Sequence, residues 1–543
     1  MVKVGFTRRE IVASLLGAPA LLSCRDAPVT WDGELLGASA AAGHRLRAPQ
    51  AIIPEETEEI PILILGGGVS GLSAGWWLRR SGQERFRLLE LEPELGGTAR
   101  SGQRRGLEFP WGAHYLAAPR ADQPELLQLL EETKTIVGRD DAGQPLYDEA
   151  QICAAPKERI FLHGFWSEGL YPSDGASAGD LAELERFRRT VDAFVGLRGE
   201  DGRRAFRVPV EASSRDPKLL ALDRLSMSEW LAREGYRSAR LRWFIEYGCR
   251  DDFGTELGHT SAWAGLHYFA SRTEVPGEES ADFLTWPEGN AFLVRALSER
   301  VGRERISTGT LVAGIAPHGD GRRAEVTSVD LASGRAKRWI SPRVIFALPS
   351  FLRRYLVRGF ERVPEYQPSY SPWLVANLHL RGRPGSRGFP TAWDNVIYQS
   401  RSLGYVVATH QRHLERGSTV WTYYLPLTGA DDRAQRRELE ALSWSDAAPP
   451  IVGELCRCHL GLEAVLERID LFRWGHAMVR PVPGALFGPE RARAAEPQGP
   501  LIFAHTDLSG IALFEAAFSH GVRAAREALA SLERGANGTY GGQ

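Results

Sequence analysis

The stretch from Pro61 to Gly97, PILILGGGVSGLSAGWWLRRSGQERFRLLELEPELGG, leaves this chain few folds to choose from. Ile60 and then Ile62 to Leu65 form a short apolar run that reads as a buried strand of a parallel sheet. It leads straight into Gly66-Gly67-Gly68-Val69-Ser70-Gly71, which fits G-x-G-x-x-G. Gly66 permits the tight turn, Gly68 lets a pyrophosphate reach the backbone, and Gly71 lets the next helix pack closely on the sheet. That helix, Ser70 to about Ser81, points its N-terminal N–H groups and positive dipole end at the phosphates, so Val69 and Ser70 join the glycines as candidate cofactor contacts. A second strand, Phe86 to Leu91, carries Glu90 about twenty residues past the last glycine, where an acid binds a ribose hydroxyl. Strand, loop, helix and acid together separate a dinucleotide site from a glycine-rich turn with no ligand.

Gly96-Gly97-Thr98-Ala99-Arg100-Ser101 begins six residues past Glu90. It resembles the second glycine pair that follows the ribose acid in the flavin amine oxidase superfamily, which includes monoamine and polyamine oxidases and, more distantly, phytoene desaturases. The resemblance implies FAD, with Gly97 and Thr98 at the cofactor. It continues in order along the chain. Gly112-Ala113 in FPWGAHY matches the loop that passes the flavin ring, which would put His114 near the isoalloxazine. Val312, on a strand after the helix Ala291 to Arg300, matches a valine whose backbone meets the adenine, and Arg343 to Pro349 resembles the strand closing the second cofactor segment. Trp474-Gly475-His476 comes where the family walls the flavin. Leu501 to Asp507, LIFAHTD, resembles F-A-G-T-E, which implies that Thr506 and Asp507 lie near the ribityl and pyrophosphate; His505 replaces the usual glycine. Phe514 to Ala525 resembles the helix whose N-terminus faces the flavin pyrimidine, where its dipole stabilises charge on the reduced ring.

The chain has 543 residues, 43% of them apolar and 25% charged, with a net charge of −2. Two or more interleaved domains are expected at that length, and nothing in the charge balance points to nucleic acid. No apolar run reaches the length of a membrane span. The N-terminus is read as a targeting segment: Thr7-Arg8-Arg9-Glu10-Ile11-Val12 resembles a twin-arginine export signal, and Leu21-Leu22-Ser23-Cys24 resembles a bacterial lipobox in which the cysteine is lipidated. Residues 1–24 are therefore the expected signal and 25–59 a tether, with Trp31 and Leu35-Leu36 apolar enough for part of it to dock on the body. The expected location is periplasmic, anchored to a bacterial membrane through Cys24. Cys456-Arg457-Cys458 has the wrong spacing for a zinc knuckle and no metal site is expected; Cys153, Cys249, Cys456 and Cys458 read as structural thiols, in a compartment that permits disulfides.

The expected fold is α/β: a Rossmann-like FAD-binding domain assembled from residues 60–124, 285–351 and 486–532, and an α+β substrate domain with a mixed sheet. A mainly helical insertion, 125–284, and a second segment, 352–485, make up the substrate domain, and 533–543 is a tail. Asp251 and Asp252 are read as a turn or cap feature or as paired catalytic carboxylates. The expected reaction is hydride abstraction from a C–H bond of an amine or an apolar lipid-like substrate by non-covalent FAD, then reoxidation by oxygen or another acceptor. His476, His114 and Trp474 are the candidate catalytic residues, the histidines because imidazole titrates in the working pH range. One departure counts against a simple amine oxidase. Those enzymes commonly carry a lysine, bonded to a water at flavin N5, on the first strand after the closing proline; Trp373 to Leu380 has none. A desaturase or isomerase on an isoprenoid-like substrate, or a membrane-tethered flavoprotein without turnover, therefore stand as alternatives.

Overall fold

Two sheets of different chemistry organise the chain. The computed structural model describes residues 31–47, 52–119, 122–272, 282–360, 366–412 and 416–538. Arg8-Arg9 and the Leu21 to Cys24 stretch lie outside the described residues.

In chain order, β1 (Leu35–Gly37) lies in the segment expected as a tether. β2 (Ile62–Leu65) follows, fully buried, then α1 (Val69–Arg80), entered from an extended Gly68, and β3 (Phe86–Leu89). The stretch 125–284 is not only helical: it also carries the short strands Ile136–Arg139, Pro145–Tyr147, Glu158–Leu162 and Phe165–Glu168. Its two helices that matter here are α2 (Ala239–Phe253) and α3 (Ala262–Ala270). The Ser238 hydroxyl caps α2 by accepting from Leu241 N–H, and Gly254, at φ +59°, ends it in the left-handed region that a helix stop favours. Then come β4 (Ile306–Ser307), β5 (Thr310–His318), β6 (Arg343–Phe346), β7 (Tyr370–Leu380), β8 (Asp394–Ile397), β9 (Tyr405–Val407), β10 (Thr419–Pro426), β11 (Leu466–Val479), β12 (Leu501–Phe503) and α4 (Phe514–Gly538).

The first sheet is five-stranded and parallel throughout, in the order β4-β3-β2-β6-β12. Its strands come from three separated parts of the chain, and their continuous apolar runs are covered on both faces. Helix α4 returns from the C-terminus to lie on α1. The Ser70 hydroxyl donates to Ala517 O at 2.8 Å and the Ser73 hydroxyl to Phe518 O at 3.1 Å. A Cβ on Gly521 would stand 2.1 Å from Ser70 O, so the two backbones touch because that residue is glycine. The second sheet has eight strands in the order β1-β11-β7-β10-β9-β8, then Glu158–Leu162 and Phe165–Glu168. It is mixed, with β1 parallel to β11 and β8 parallel to Glu158–Leu162. All eleven residues of β7 are buried, which is why its sequence shows no in-out alternation. No helix among the described residues is long and apolar enough to cross a membrane.

Candidate active site

The glycine loop builds an open cradle. Gly66 turns at φ +102°, and a Cβ there would meet Ala347 O at 2.7 Å; one on Gly71 would meet Gly66 O at 1.8 Å. Gly68 is different: a Cβ there would meet nothing within 4 Å, so its face looks into empty space in front of the α1 N-terminus. Gly96 pairs with Gly68 as a β-bridge, and Gly97 (φ +58°) approaches its Cα, with Thr98 beside it in the short turn Gly97–Ala99. Glu90 is held at the end of β3 by two backbone donors, Gly67 N–H to Oε2 at 2.5 Å and Glu92 N–H to Oε1 at 2.8 Å. Burial raises its pKa against the pull of those bonds. Val312 lies buried on β5 at a bulge between Val312 and Gly314. The Ser70 side chain is committed to α4, so its backbone N–H is what remains for a phosphate.

Asp507 closes the cleft from the third segment. Its Oδ2 accepts from Ser350 N–H at 2.7 Å and from the Tyr370 hydroxyl at 2.5 Å. Oδ1 is buried without a hydrogen bond, 3.1 Å from His505 Nδ1, which itself accepts Asp507 N–H at 3.2 Å. Desolvation works to raise this carboxyl, but His505 and the bonds from Tyr370 and Ser350 outweigh it and hold it at about 2. Thr506 opens the short turn Thr506–Leu508, and Phe514 opens α4. An open cradle at Gly68, a carboxylate pinned at Glu90 and the buried Asp507 carboxylate on the third segment fit a dinucleotide lying across all three segments.

The candidate catalytic residues fall into two separate ring clusters. The His114 ring stacks on Tyr424 (centroids 4.9 Å apart, 29°) and lies 5.3 Å from Trp393, beyond the turn in which a Cβ on Gly112 would strike Thr98 O and Ala113 N–H donates to that same oxygen. His476 stacks instead on Phe351 at 4.1 Å and meets Tyr370 edge-on. Trp474 is buried on β11, donating Nε1–H to Trp111 O at 2.7 Å, with the Arg100 guanidinium 5.1 Å over its ring. Burial pushes both His114 and His476 down to about 4, with Arg436 adding repulsion at His476. Neither imidazole changes charge near neutrality, the property for which the sequence singled them out. Both are neutral rings there.

Between α2, α3 and the β8–β10 face lies a buried cluster, or chamber, of carboxylates and rings. Asp251 and Asp252 sit in the last turn of α2, in regular helix rather than in a turn. Asp252 takes Arg272 in a two-pronged pair at 2.7 and 2.8 Å. Asp251 does not share that pair; burial and then the Asp252 charge raise it to about 7. Asp394, at the head of β8, accepts from the Tyr247 hydroxyl at 2.8 Å, and burial with the charges of Glu158 and Asp251 pushes it well above the carboxylate range. Glu515, in the first turn of α4, is raised by burial to about 7. Tyr115, Tyr247, Tyr268, Trp393 and Tyr424 surround these groups, and a small cavity of about 30 Å³ opens beside Arg272 and Glu515. Sequence reasoning missed Asp394, Arg272, Tyr247 and Tyr268. An aspartate at the head of an otherwise buried strand, Asp394-Asn395-Val396-Ile397, was the available signal. The described cysteines are all free; Cys153 packs with Tyr247, Trp393 and Tyr424 and Cys249 lies on α2 near Asp252, but burial lifts the thiols of Cys153, Cys249 and Cys458 to about 12. No group of three His, Cys, Asp or Glu among the described residues could hold a metal.

Comparison with known proteins bears on the fold. Solved structures of putrescine oxidase superpose on 88% of this chain and 100% of theirs, at a TM-score of 0.63 and 17% identity. The fold is that of the amine oxidases. Cyclohexylamine oxidase from Brevibacterium oxydans IH-35A shares this oxidase fold over 88% of this chain and all of its own (TM-score 0.60, 15% identity). So does a CLA-producing fatty acid isomerase from P. acnes, over 86% and 97% (TM-score 0.58, 14%). Residues 64–133 match the NAD(P)-binding Rossmann-like domain family. Baeyer-Villiger monooxygenase 4 of Dietzia sp. (strain D5) is 34% identical over 138 residues, 25% of this chain; the chain spans about a fifth of that relative's length.

Proposed function

We propose that this chain is an FAD-dependent oxidoreductase that takes hydride from a C–H bond of a cationic, amine-type substrate, with FAD held non-covalently. FAD, when bound, supplies the hydride acceptor and passes the electrons on to oxygen or another acceptor. The chain's own residues divide the remaining work. Backbone N–H groups of Gly68, Val69 and Ser70 would hold the pyrophosphate, Glu90 the ribose hydroxyls, Val312 the adenine, and Thr506 and Asp507 the ribityl end. Gly97, Thr98, Gly112 and Ala113 would line the path between them, and the α4 N-terminus, opened by Phe514, would meet the pyrimidine end.

The single observation that carries the substrate class is the chamber. Asp251, Asp252 and Glu515 gather around Arg272, which Asp252 already takes, Asp394 lies beside Asp251, and the walls are aromatic. Buried carboxylate without a matched cation, boxed by π faces, is stabilised by an organic ammonium and not by a neutral chain. Asp251 and Asp394 hold that ammonium, while His114, Tyr424 and Trp474 wall the reacting end. Strand β7 offers no lysine near the ring: Asn377, in mid-strand, donates to Pro110 O at 3.0 Å and accepts from Thr422 at 2.7 Å. Reoxidation by oxygen is therefore slow, as is turnover of simple primary amines, which satisfy only one carboxylate. The twin-arginine pair and Cys24 support export in the folded state and anchoring by lipid on the periplasmic side. Anaerobic mixing with monoamines, diamines, polyamines and polyenes, following the flavin absorbance, tests the reading. Diamines or polyamines should bleach the flavin fastest. Bleaching by polyenes alone would move the assignment to an isoprenoid-like substrate. No bleaching beside normal reduction by dithionite would leave a non-catalytic flavoprotein.

A further inference from the structure

The segment 31–47 does not hang free. Its first part adds to the edge of the large sheet: Ile469 N–H donates to Asp32 O, Leu471 N–H to Glu34 O, and β1 continues parallel to Leu471–Arg473 of β11, the strand that carries Trp474 and His476. Arg468 fixes this join through Asp32 at 2.6 Å and Glu34 at 2.8 Å. Trp31 and Leu35 pack on one side of that sheet and Leu36 on the other, against the cluster of Trp111, Phe472 and Trp474.

The middle of the segment clasps the cofactor domain. Ser39 donates twice to the Glu92 carboxylate, from N–H at 2.8 Å and from the hydroxyl at 3.0 Å. Glu92 also takes Arg100 at 3.3 Å, and its own N–H is one of the two donors that pin Glu90. The end of the segment is anchored by Leu46, 8% exposed, which enters the core formed by Leu63, Leu65, Leu89, Val312 and Leu356. Arg47, next to it, places its charge near His476.

The segment thus touches, in order, the strand of the flavin wall, the support of the ribose acid and the core behind the adenine valine. We propose that residues 31–47 are a strap belonging to the dinucleotide site, which closes over the bound cofactor and sets the rate at which it leaves, with Ser39 a positioning residue acting on Glu90 through Glu92. This rests on the FAD reading. The physical reason is that the bonds to the Glu92 carboxylate and an added edge strand must both open before the cleft does, a local unfolding event. To the extent that the docked strap also tightens equilibrium FAD binding, linkage makes the coupling reciprocal, and the cofactor in turn holds the strap down.

The test uses the full chain loaded with FAD, with flavin release followed by recovery of free-flavin fluorescence after dilution, and strap docking followed by limited proteolysis within 31–52. Leu46→Asp should release FAD about tenfold faster or more, a change of about 1.4 kcal/mol. Ser39→Ala should give a smaller acceleration, restored by Ser39→Thr. Removing FAD from the wild type should speed cleavage of the strap. Should Leu46→Asp fail to fold, Leu35→Ala with Ser39→Ala makes the same measurement. A strap that proteolysis shows to be displaced, with flavin release as slow as in the wild type, overturns the proposal. A wild-type chain that takes up no FAD overturns the cofactor reading itself, and is told apart because no release can then be recorded.

Discussion

Replacing Asp251 by asparagine should make the protein more stable above neutral pH and worse at holding its substrate. Asp251 is raised from the ordinary 3.8 to about 7, first by burial and then by Asp252. A carboxyl raised in the folded state contributes its full stability below the unfolded value and loses it as pH climbs through the folded value. Wild type and Asp251→Asn should therefore coincide near pH 4 and diverge between about 4 and 7, with the variant the more stable at pH 8. At about 1.4 kcal/mol per pKa unit, the roughly three units available set a ceiling of about 4 kcal/mol. Unfolding entropy near 2.1 cal/mol/K per residue over roughly 500 residues converts this to about 4 °C in melting temperature. The substrate arm has the opposite sign. Loss of one charge-assisted bond, about 1.5–3 kcal/mol, should weaken diamine binding roughly 10- to 150-fold. Thermal melts of the cofactor-free protein across pH 4–9, beside diamine titrations at pH 8, measure both. Parallel melting curves at every pH would refute the idea that Asp251 is a strained acid waiting for a cation.

Glu90→Gln keeps the shape but loses the charge and one acceptor for Gly67 or Glu92 N–H; FAD should bind about 10- to 150-fold more weakly by fluorescence titration, the equivalent of about 1.5–3 kcal/mol. Gly521→Ala puts a methyl 2.1 Å from Ser70 O and Ser73 Oγ, and overpacking of about 1–3 kcal/mol should lower the melting temperature while parting α4 from α1. Cys24→Ser should move the protein from the membrane to the soluble fraction, and Arg8→Lys with Arg9→Lys should hold it in the cytoplasm; unchanged fractionation of both would dispose of the export signal.

What the sequence revealed depended on how local the encoding was. The β2–α1–β3 unit with Glu90 was legible because a strand, a glycine turn, a helix and an acid at fixed spacing sit within about 30 residues and need no tertiary information. The three-segment cofactor fold was legible through ordered motifs at β6, Val312 and Asp507. The chamber was not, because Tyr115, Asp251, Arg272 and Asp394 come from four places and meet only after α2 and α3 fold onto β8. Charge perturbation is equally invisible in one dimension. His114 and His476 look like neutral-range switches until burial is known, and Asp251-Asp252 reads as a turn or cap feature or as paired carboxylates until it is seen inside α2 with one carboxylate bound to Arg272 and the other not. The strap shows a middle case. Trp31 and Leu35-Leu36 announced that part of the tether docks, but neither the edge of β11 nor Glu92 could be named as its seat.

The central claim, that three separated segments form one FAD site, is tested most directly by the flavin content of the purified chain. The account predicts yellow protein with FAD bound in equal proportion to chain, or the same after reconstitution, and all of that flavin released when the protein is denatured. Colourless protein that takes up no FAD, or flavin that stays attached to the denatured chain, would contradict it.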